Sequence, residues 1–227
     1  MTGVLGYPRV HLRTVDSTNE RARQLAAGGA PHGTVVTARE QTAGRGRQGR
    51  RWTAPAGRAI LCSVVLRDPP RLLPLATGVA VAEVTGPEAM LKWPNDVLLD
   101  GRKVAGILVE GRPQEGWAVV GIGLNVAVRE DDFPTELRGL AGTLGLRPQD
   151  VERVLEGLLE ALARWVSAPP ERVLDAVRAR DALHGQSVRW SGGQGEAAGV
   201  DENGRLVVVG EQGEVALEAG EVHLVRS

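Results

Sequence analysis

A series of apolar runs between residues 91 and 128 constrains the fold more than any other feature of the chain. Two of these runs, "VLL" and "KVAGILVE", are separated by Asp100-Gly101, a dipeptide that favours the tight turn of a β-hairpin because both residues tolerate a left-handed backbone. A further run, "WAVVGIGLNVAV", follows after the next turn. Short apolar runs bounded by turn residues are typical of buried strands. The centre of the chain is therefore predicted to be rich in β-sheet.

The segment before this centre is predicted to contain two helices and two strands. In "VDSTNERARQLAAGG", Ser17 can cap a helix, Glu20 stands three residues later as in a capping box, and two glycines end the pattern. The runs "GTVVTARE" and "AILCSVVL" predict strands at 33–40 and 59–66. The run "LLPLATGVAVAEVTG" predicts a helix in spite of Pro74 near its start.

The pattern changes twice after Pro148. First, apolar residues recur with the period of an α-helix and share one face: Val151, Val154, Leu155, Leu158, Leu162, Trp165 and Val166. A second helix is expected through "PERVLDAVRARDAL". Beyond His184, five short apolar runs are broken by glycine-rich turns, which is typical of a small β-barrel. We therefore expect two domains, at residues 1–183 and 184–227.

The composition argues against several classes of protein. No apolar run approaches the roughly 18 residues of a membrane-spanning helix, and the N-terminus lacks a secretion-signal pattern, so we expect a cytoplasmic protein without membrane association. The single cysteine, Cys62, lies in "AILCSVVL" and is expected to be a small buried hydrophobe. The four histidines are scattered, and no zinc-binding spacing of cysteine or histidine occurs, so no protein-bound structural metal is expected.

The stretch "TAGRGRQGRRW" at residues 42–52 concentrates positive charge in a chain whose net charge is only -1. Its glycines have the spacing G-x-G-x-x-G, but a dinucleotide-binding fingerprint must open a helix. Here Pro55 and Gly57 oppose a helix and an apolar strand follows, and the P-loop pattern does not occur in the sequence. Two interpretations remain. The stretch is either a solvated loop or a flexible loop whose backbone N–H groups and guanidinium forks bind a small anion, such as a phosphate chain or a carboxylate.

Four motifs, taken in order, resemble those of one enzyme family. They are "VDSTNE" (15–20), "EQTAGRGRQGRRW" (40–52), "LKWPNDVLLDGRKVAGILVE" (91–110) and "VVGIGLNV" (119–126). Together they resemble the biotin protein ligases, or biotin–[acetyl-CoA carboxylase] ligases, and "GVDENGRLVVV" resembles their small SH3-like C-terminal domain. The resemblance implies an α+β fold, in which a class II aminoacyl-tRNA synthetase/biotin ligase-like mixed sheet with helices forms the catalytic domain (1–183) and an SH3-like β-barrel forms the C-terminal domain (184–227).

The resemblance also implies a two-step reaction. Biotin and ATP, with Mg²⁺, give biotinyl-5′-AMP and pyrophosphate, and a lysine of a biotin carboxyl carrier protein, a subunit of acetyl-CoA carboxylase, then attacks the mixed anhydride. The first step brings two anions together, the biotin carboxylate and the α-phosphate, so cations must be placed between them. The resemblance places Arg45, Arg47 and Lys103 there.

Functional residues of the family carry over to the positions that match its motifs. Those expected to bind biotin are Ser17, Thr18, Asn19, Gln41, Gly44, Arg45, Gly46, Arg47, Lys103 and Gly106. Those expected to bind the nucleotide are Arg47, Arg50, Trp52, Lys92 and Asn125. The expected catalytic residues are Lys103, Arg45 and Asp96. In these roles Trp52 would stack on adenine, and Asp96 would accept the proton of the acceptor lysine.

Several of these residues also have a purely structural interpretation. Ser17 can act only as a helix cap, and Trp52 can belong to the core. Lys103 can face solvent, and Asp96 can serve only the turn in "WPND". Arg51, the remaining arginine of the loop, is expected to be solvated.

Two other functions stay open at this point. A lipoate or octanoyl protein ligase would share the broad fold, although "GRGRQGRRW" and "KWPNDV" favour biotin. A nucleic-acid-binding module could use the arginine loop and the small barrel, although the net charge of -1 and the lack of a second basic stretch count against it. Only 14 residues precede "VDSTNE", so we expect a monofunctional ligase without direct DNA binding. The oligomeric state is left open, with a homodimer as one alternative.

Overall fold

The computed structural model describes residues 5–211, 213–218, 220 and 222–225, and a seven-stranded sheet lies at its centre. In chain order its strands are β1 (Arg9–Val15), β2 (Val35–Gln41), β3 (Ala59–Arg67), β4 (Met90–Lys92), β5 (Asp96–Leu99), β6 (Arg102–Arg112) and β7 (Trp117–Asn125). Their order across the sheet is β1-β2-β3-β7-β6-β5-β4. Strands β1 and β2 are parallel and every other neighbouring pair is antiparallel, so the sheet is mixed.

Helices cover both faces of this sheet. Among the described residues the α-helices are α1 (Thr18–Ala27), α2 (Leu73–Thr85), α3 (Val151–Val166) and α4 (Pro170–Arg178). Successive residues of a strand point to opposite faces, so Val36 packs with α1 whereas Val35 packs with α2 and α3. The predicted apolar face of α3 is confirmed, and Leu158 and Leu162 are fully buried in the core.

Local sequence signals are confirmed at the central hairpin and at α2. Asp100 (φ 50°) and Gly101 (φ 70°) both adopt the left-handed backbone of the hairpin that joins β5 to β6. Pro74 lies in the first turn of α2, where the missing N–H would have no intrahelical partner. The predicted strands at 33–40 and 59–66 are β2 and β3.

The predicted capping box of α1 is only half correct. Ser17 caps the helix, and its side chain accepts a hydrogen bond from the Glu20 backbone N–H at 3.5 Å. The Ser17 backbone N–H, however, donates to Asp16 Oδ1 at 2.7 Å. The Glu20 carboxylate is engaged by arginines instead, because it lies 3.0 Å from Arg23 and 3.1 Å from Arg45.

The second C-terminal helix is shorter than predicted. Helix α4 ends at Arg178, whereas the prediction extended it to residue 183. The chain leaves the helix there to pair with β4. The Leu91 N–H donates to the Arg180 carbonyl at 2.7 Å, and the Ala182 N–H donates to the Leu91 carbonyl at 2.9 Å.

A second, five-stranded sheet follows. Its strands are β8 (Ser187–Trp190), β9 (Gly193–Val200), β10 (Leu206–Gly210), β11 (Gly213–Leu217) and β12 (His223–Leu224), in the order β11-β10-β9-β8-β12. The five short strands predicted beyond His184 are confirmed, and the domain boundary after residue 183 stays a prediction. Leu206 and Val208 belong to the main core, and Trp93 Nε1 donates to the Gly204 carbonyl at 3.1 Å, so this sheet packs closely on the first.

Sequence reasoning did not identify β1 or the short 3₁₀ turns between residues 130 and 150. In the described part of the chain, no helix combines the length and the apolar character needed to cross a membrane.

Candidate active site

Strands β6 and β7 present glycines on the sheet face that α1 covers. Gly106 lies on β6, and Gly121 and Gly123 lie on β7, while their strand neighbours point into the core on the opposite face. These three residues form the glycine floor. A Cβ atom at Gly121 would overlap the Asn19 carboxamide, and one at Gly123 would overlap the Trp52 indole. The glycine floor therefore leaves room above the sheet for polar and aromatic groups.

Above the glycine floor lies a cavity of about 140 Å³. Its walls come from the start of α1, the loop at 44–52, the "WPND" segment and the region around β12. Most residues predicted to be functional line it: Ser17, Thr18, Asn19, Gln41, Arg45, Gly46, Arg47, Arg50, Trp52, Lys92, Asp96, Lys103 and Gly106. A second cavity of about 600 Å³ adjoins the first and shares the side chains of Trp52 and Lys103.

One end of the first cavity is lined by uncharged polar side chains. Gln41 Oε1 accepts hydrogen bonds from the Thr18 backbone N–H at 2.7 Å and from the Thr18 hydroxyl at 3.1 Å. The Ser63 hydroxyl donates to Asn19 Oδ1 at 2.7 Å and lies 2.9 Å from Thr18 Oγ1. Thr18, Asn19, Gln41 and Ser63 form the polar cluster. Ser17 lines the cavity beside this cluster and also caps α1, so capping and ligand contact are compatible at that residue.

Glu110, on β6, joins the polar cluster to the arginine loop. Its Oε2 accepts a hydrogen bond from Asn19 Nδ2 at 2.9 Å, and its Oε1 lies 3.0 Å from Arg45 Nη2. Arg45 also pairs with Glu20. The structure thus places Arg45 beside two carboxylates that border the polar cluster, whereas its contact with the substrate carboxylate or phosphate stays a prediction.

Ser63 and Glu110 were both missed by sequence reasoning. Ser63 stands inside an apolar run that is predicted to be core, and the only signal was that a buried hydroxyl needs a partner. Glu110 ends the third motif, and its importance depends on its contact with Asn19, 91 positions earlier in the chain.

The other end of the cavity is charged. Lys103 Nζ lies 2.6 Å from Asp96 Oδ1, across the β5–β6 pair. Arg47 Nη1 donates to Asn95 Oδ1 at 3.1 Å, which brings a second cation to this end. The pKa of Arg47 is lowered, because the effect of burial exceeds the opposing effect of the nearby Asp96 carboxylate. The guanidinium nevertheless stays protonated. This end can therefore bind an anion, with one carboxylate held beside it.

Trp52 packs over the glycine floor. Its ring carbons approach the position that a Cβ atom of Gly106 would occupy to 3.1 Å, and Lys103 Nζ lies 5.9 Å from the ring centroid. The indole also packs against a buried apolar cluster that includes Leu61. Trp52 Nε1 is buried and has no hydrogen-bond partner among the residues that the structure describes. The core interpretation of Trp52 therefore fits this structure, and stacking on adenine stays a prediction.

Gly44 lines neither cavity but closes the arginine loop. The Trp52 N–H donates to the Gly44 carbonyl at 3.0 Å, and an isolated antiparallel bridge joins Arg45 to Arg51. A Cβ atom at Gly44 would overlap the Trp52 carbonyl, so only glycine allows this close approach. The Arg51 side chain is exposed as predicted, and it donates to the Thr42 carbonyl at 2.8 Å.

Asn125 lies at the end of β7 and lines the second cavity. Its Nδ2 donates to the Gly142 carbonyl at 3.0 Å, while Oδ1 is buried and has no hydrogen-bond partner among the described residues. Apolar side chains from the following segment complete the wall of this cavity: Phe133, Pro134, Leu137, Leu140 and Ala141. Sequence reasoning assigned no role to that segment, which has no periodic pattern.

Cys62 is buried, as predicted. Burial raises the pKa of its thiol to about 12, so the group is not ionised near neutral pH. Within the described ranges, no group of three or more histidine, cysteine, aspartate or glutamate side chains converges to hold a metal ion.

Comparison with known proteins places this site in a family. The profile of the biotin/lipoate A/B protein ligase family matches residues 11–126, which contain the four motifs. The chain belongs to the biotin/lipoate A/B protein ligase family. A biotin–[acetyl-CoA-carboxylase] ligase of Mycobacterium tuberculosis is 38% identical, covering 91% of this chain and 85% of that protein. The predicted family and the predicted α+β fold are thus confirmed.

Solved structures and longer members of the ligase family agree with this assignment. A biotin protein ligase from Aquifex aeolicus, solved in complex with biotin and ATP, superposes with a TM-score of 0.81 at 31% identity, covering 98% of this chain and all of that one. A bifunctional ligase/repressor BirA of Bacillus spizizenii is 41% identical over 63% of this chain and 48% of its own length. The chain therefore spans about half the length of the Bacillus relatives that it matches.

Proposed function

We propose that this protein is a biotin protein ligase, which activates biotin with ATP and transfers it to a lysine of a carboxyl carrier protein. The observation that carries the proposal is the cavity itself, because it joins an uncharged polar cluster to a cationic end that opens into a second cavity. We assign the catalytic domain to residues 1–183 and the C-terminal domain to residues 184–227. The family membership and the biotin ligases among the similar proteins support the proposed activity.

The two ends of the cavity suit the two ends of biotin. The ureido group of biotin is neutral and carries one acceptor and two donors, so hydroxyl and amide groups such as those of Thr18 and Gln41 can bind it. The fused rings would lie along the glycine floor, beside the Trp52 indole and the Asn19 carboxamide that pack over it. The carboxylate would then reach Lys103 and Arg47 at the charged end, where a guanidinium fork can bind two oxygens.

The activation step needs cations between two anions. An oxygen of the biotin carboxylate attacks the α-phosphorus of ATP, the bond from that phosphorus to the bridging oxygen breaks, and pyrophosphate leaves. Lys103 lies where the two cavities meet, so its ammonium can neutralise charge on both reactants. The nucleotide would occupy the second cavity, beside Asn125 and Arg50. Magnesium enters as part of the substrate, bound to the ATP phosphates.

The transfer step needs a base for the incoming amine. A lysine ammonium cannot attack a carbonyl, so the acceptor lysine of the carrier protein must first lose a proton. Asp96 lies beside the charged end, with Lys103 on one of its oxygens, and we assign it the role of accepting this proton. The amine nitrogen then bonds to the carbonyl carbon, the bond to the AMP oxygen breaks, and biotinyl-lysine and AMP result. Because the first step consumes ATP, we place this activity in the cytoplasm.

Incorporation of labelled substrate tests the choice of acyl group. The protein is incubated with ATP, Mg²⁺ and a biotin carrier domain, together with labelled biotin or labelled lipoate. The proposal expects label in the carrier domain with biotin alone. Label from lipoate but not from biotin would make the protein a lipoate ligase. A carrier domain whose acceptor lysine is replaced by arginine serves as the control, and it should take up no label.

A further inference from the structure

The carboxylate of Glu110 is shared between the arginine loop and the polar cluster. One oxygen lies 3.0 Å from Arg45 Nη2, and the other accepts a hydrogen bond from Asn19 Nδ2 at 2.9 Å. The Glu110 side chain is 21% exposed and Asn19 is buried, so their contact is shielded from bulk water, whereas the Arg45 side chain is 43% exposed. We propose that Glu110 is a positioning residue, which couples the closed state of the 44–52 loop to the direction of the hydrogen bonds in the polar cluster.

The direction of those hydrogen bonds follows from the chemistry of the carboxylate. A carboxylate and a backbone carbonyl only accept hydrogen bonds, so Asn19 turns its amide nitrogen toward Glu110 Oε2 at 2.9 Å and toward the Leu108 carbonyl at 3.3 Å. Asn19 Oδ1 then faces Ser63, whose hydroxyl must donate to it, at 2.7 Å. The Ser63 oxygen in turn lies 2.9 Å from the Thr18 hydroxyl. The Glu110 carboxylate, together with the Leu108 carbonyl, therefore fixes which groups of the polar cluster donate and which accept toward a ligand.

The other oxygen of Glu110 acts on the loop. Arg45 has two carboxylate partners, Glu110 at 3.0 Å and Glu20 at 3.1 Å, and it forms the backbone bridge that closes the loop on Arg51. Loss of either carboxylate weakens the anchor of Arg45. Loss of the Glu110 carboxylate also removes the shorter of the two hydrogen bonds that orient the Asn19 amide nitrogen, leaving the one to the Leu108 carbonyl at 3.3 Å, whereas Glu20 makes no hydrogen bond or ion pair with Asn19. Glu20 thus provides a matched control.

This inference rests on the proposed function, because the ligand of the polar cluster is taken to be the ureido group of biotin. The test compares Glu110→Gln with Glu20→Gln in the full chain. Two quantities are measured, the KM for biotin in biotin-dependent exchange of pyrophosphate into ATP, and the rate at which biotinyl-5′-AMP leaves the enzyme. We expect Glu110→Gln to raise both by about threefold to tenfold, and Glu20→Gln to raise only the release rate. An unchanged KM for biotin in Glu110→Gln overturns the inference.

A double-mutant cycle tests the coupling without a variant of Glu110. Arg45→Gln and Ser63→Ala remove groups at the two ends of the chain of contacts that passes through Glu110 and Asn19. Their effects on the release rate should be non-additive by about threefold or more, because both act on one connected network. If the two effects on the release rate are additive, and each variant unfolds at the same urea concentration as the wild type, the coupling is overturned. Absence of biotin-dependent exchange in the wild type would instead contradict the proposed function, so the two failures are distinguishable.

Discussion

Replacing Gly121 by alanine should displace the polar cluster from its position. The added methyl group would overlap the Asn19 carboxamide. The backbone of β7 cannot retreat from it, because Gly121 is paired with Ser63 of β3 on one side and with Leu108 of β6 on the other. Asn19 must therefore move, and it loses its hydrogen bonds to Glu110 at 2.9 Å and to Ser63 at 2.7 Å.

The size of the effect follows from these two hydrogen bonds. A buried hydrogen bond to a charged group contributes about 1.5–3 kcal/mol and a neutral one about 0.5–1.5 kcal/mol. Alanine regains about 0.5–1 kcal/mol relative to glycine in a strand. The free energy of unfolding should therefore fall by about 1–4 kcal/mol. A shift of about 1 Å in the groups that position a substrate costs on the order of a hundredfold in kcat/KM, which we expect for biotin.

Urea denaturation and steady-state pyrophosphate exchange measure these two effects. The matched control is Gly157→Ala in α3, where a Cβ atom would meet only Val84 Cγ1 at 3.8 Å, an ordinary van der Waals distance. This control should gain about 1 kcal/mol from helix propensity and leave the kinetics unchanged. Wild-type stability together with a wild-type KM for biotin in Gly121→Ala would refute the role of the glycine floor in positioning Asn19.

Four further predictions concern the charged end and the junction with the second sheet. Lys103→Met should slow pyrophosphate exchange by about a hundredfold to a thousandfold, because it removes the cation between the two anions; an exchange rate within a few-fold of wild type would contradict this role. Asp96→Asn should impair transfer to a carrier domain more than adenylate formation in single-turnover assays, and equal losses in both half-reactions would exclude it as the base. Arg47→Gly should speed the release of biotinyl-5′-AMP, measured by separating free from bound adenylate, since its contact with Asn95 is lost; unchanged release would show that Arg47 does not retain the adenylate. Burial raises the pKa of the Asp181 carboxyl above its ordinary value of 3.8, so the fold favours the neutral form. The stability that the neutral carboxyl contributes is fully present at a pH below its pKa in the unfolded chain, and it is lost as the pH rises through its higher pKa in the folded protein. Asp181→Asn keeps an acceptor for the Leu183 N–H and should raise stability to urea at pH 7 but not at a pH well below 3.8, whereas a gain that is the same at both pH values would contradict the assignment.

The elements that could be predicted from the sequence are those specified by local signals. Asp100-Gly101 forms a hairpin because the turn chemistry alone determines it. Helix α3 is predicted by the helical period of its apolar residues, and Ser17 caps α1 as expected for a serine that precedes a helix. Strand β1 was missed although its sequence, RVHLRTV, largely alternates polar with apolar residues, as expected for a half-buried strand at the edge of a sheet.

The candidate site was predictable only as far as its residues stand in motifs. Lys103 and Asp96 occur in one motif and meet across one hairpin, so their proximity follows from a local turn. Ser63 on β3 and Glu110 on β6 act through contacts with Asn19 of α1, and no local pattern encodes how that helix packs on the sheet. The apolar wall of the second cavity comes from an irregular segment after β7, which the period of neither a helix nor a strand describes.

Biotin-dependent exchange of labelled pyrophosphate into ATP tests the proposed activity most directly, because it reports adenylate formation without any carrier protein. The purified chain is mixed with ATP, Mg²⁺ and labelled pyrophosphate, with biotin, with lipoate or with neither. We expect labelled ATP only when biotin is present, and its loss in Lys103→Met. Exchange that needs no biotin, or that lipoate alone supports, would contradict the assignment of this cavity to biotin activation.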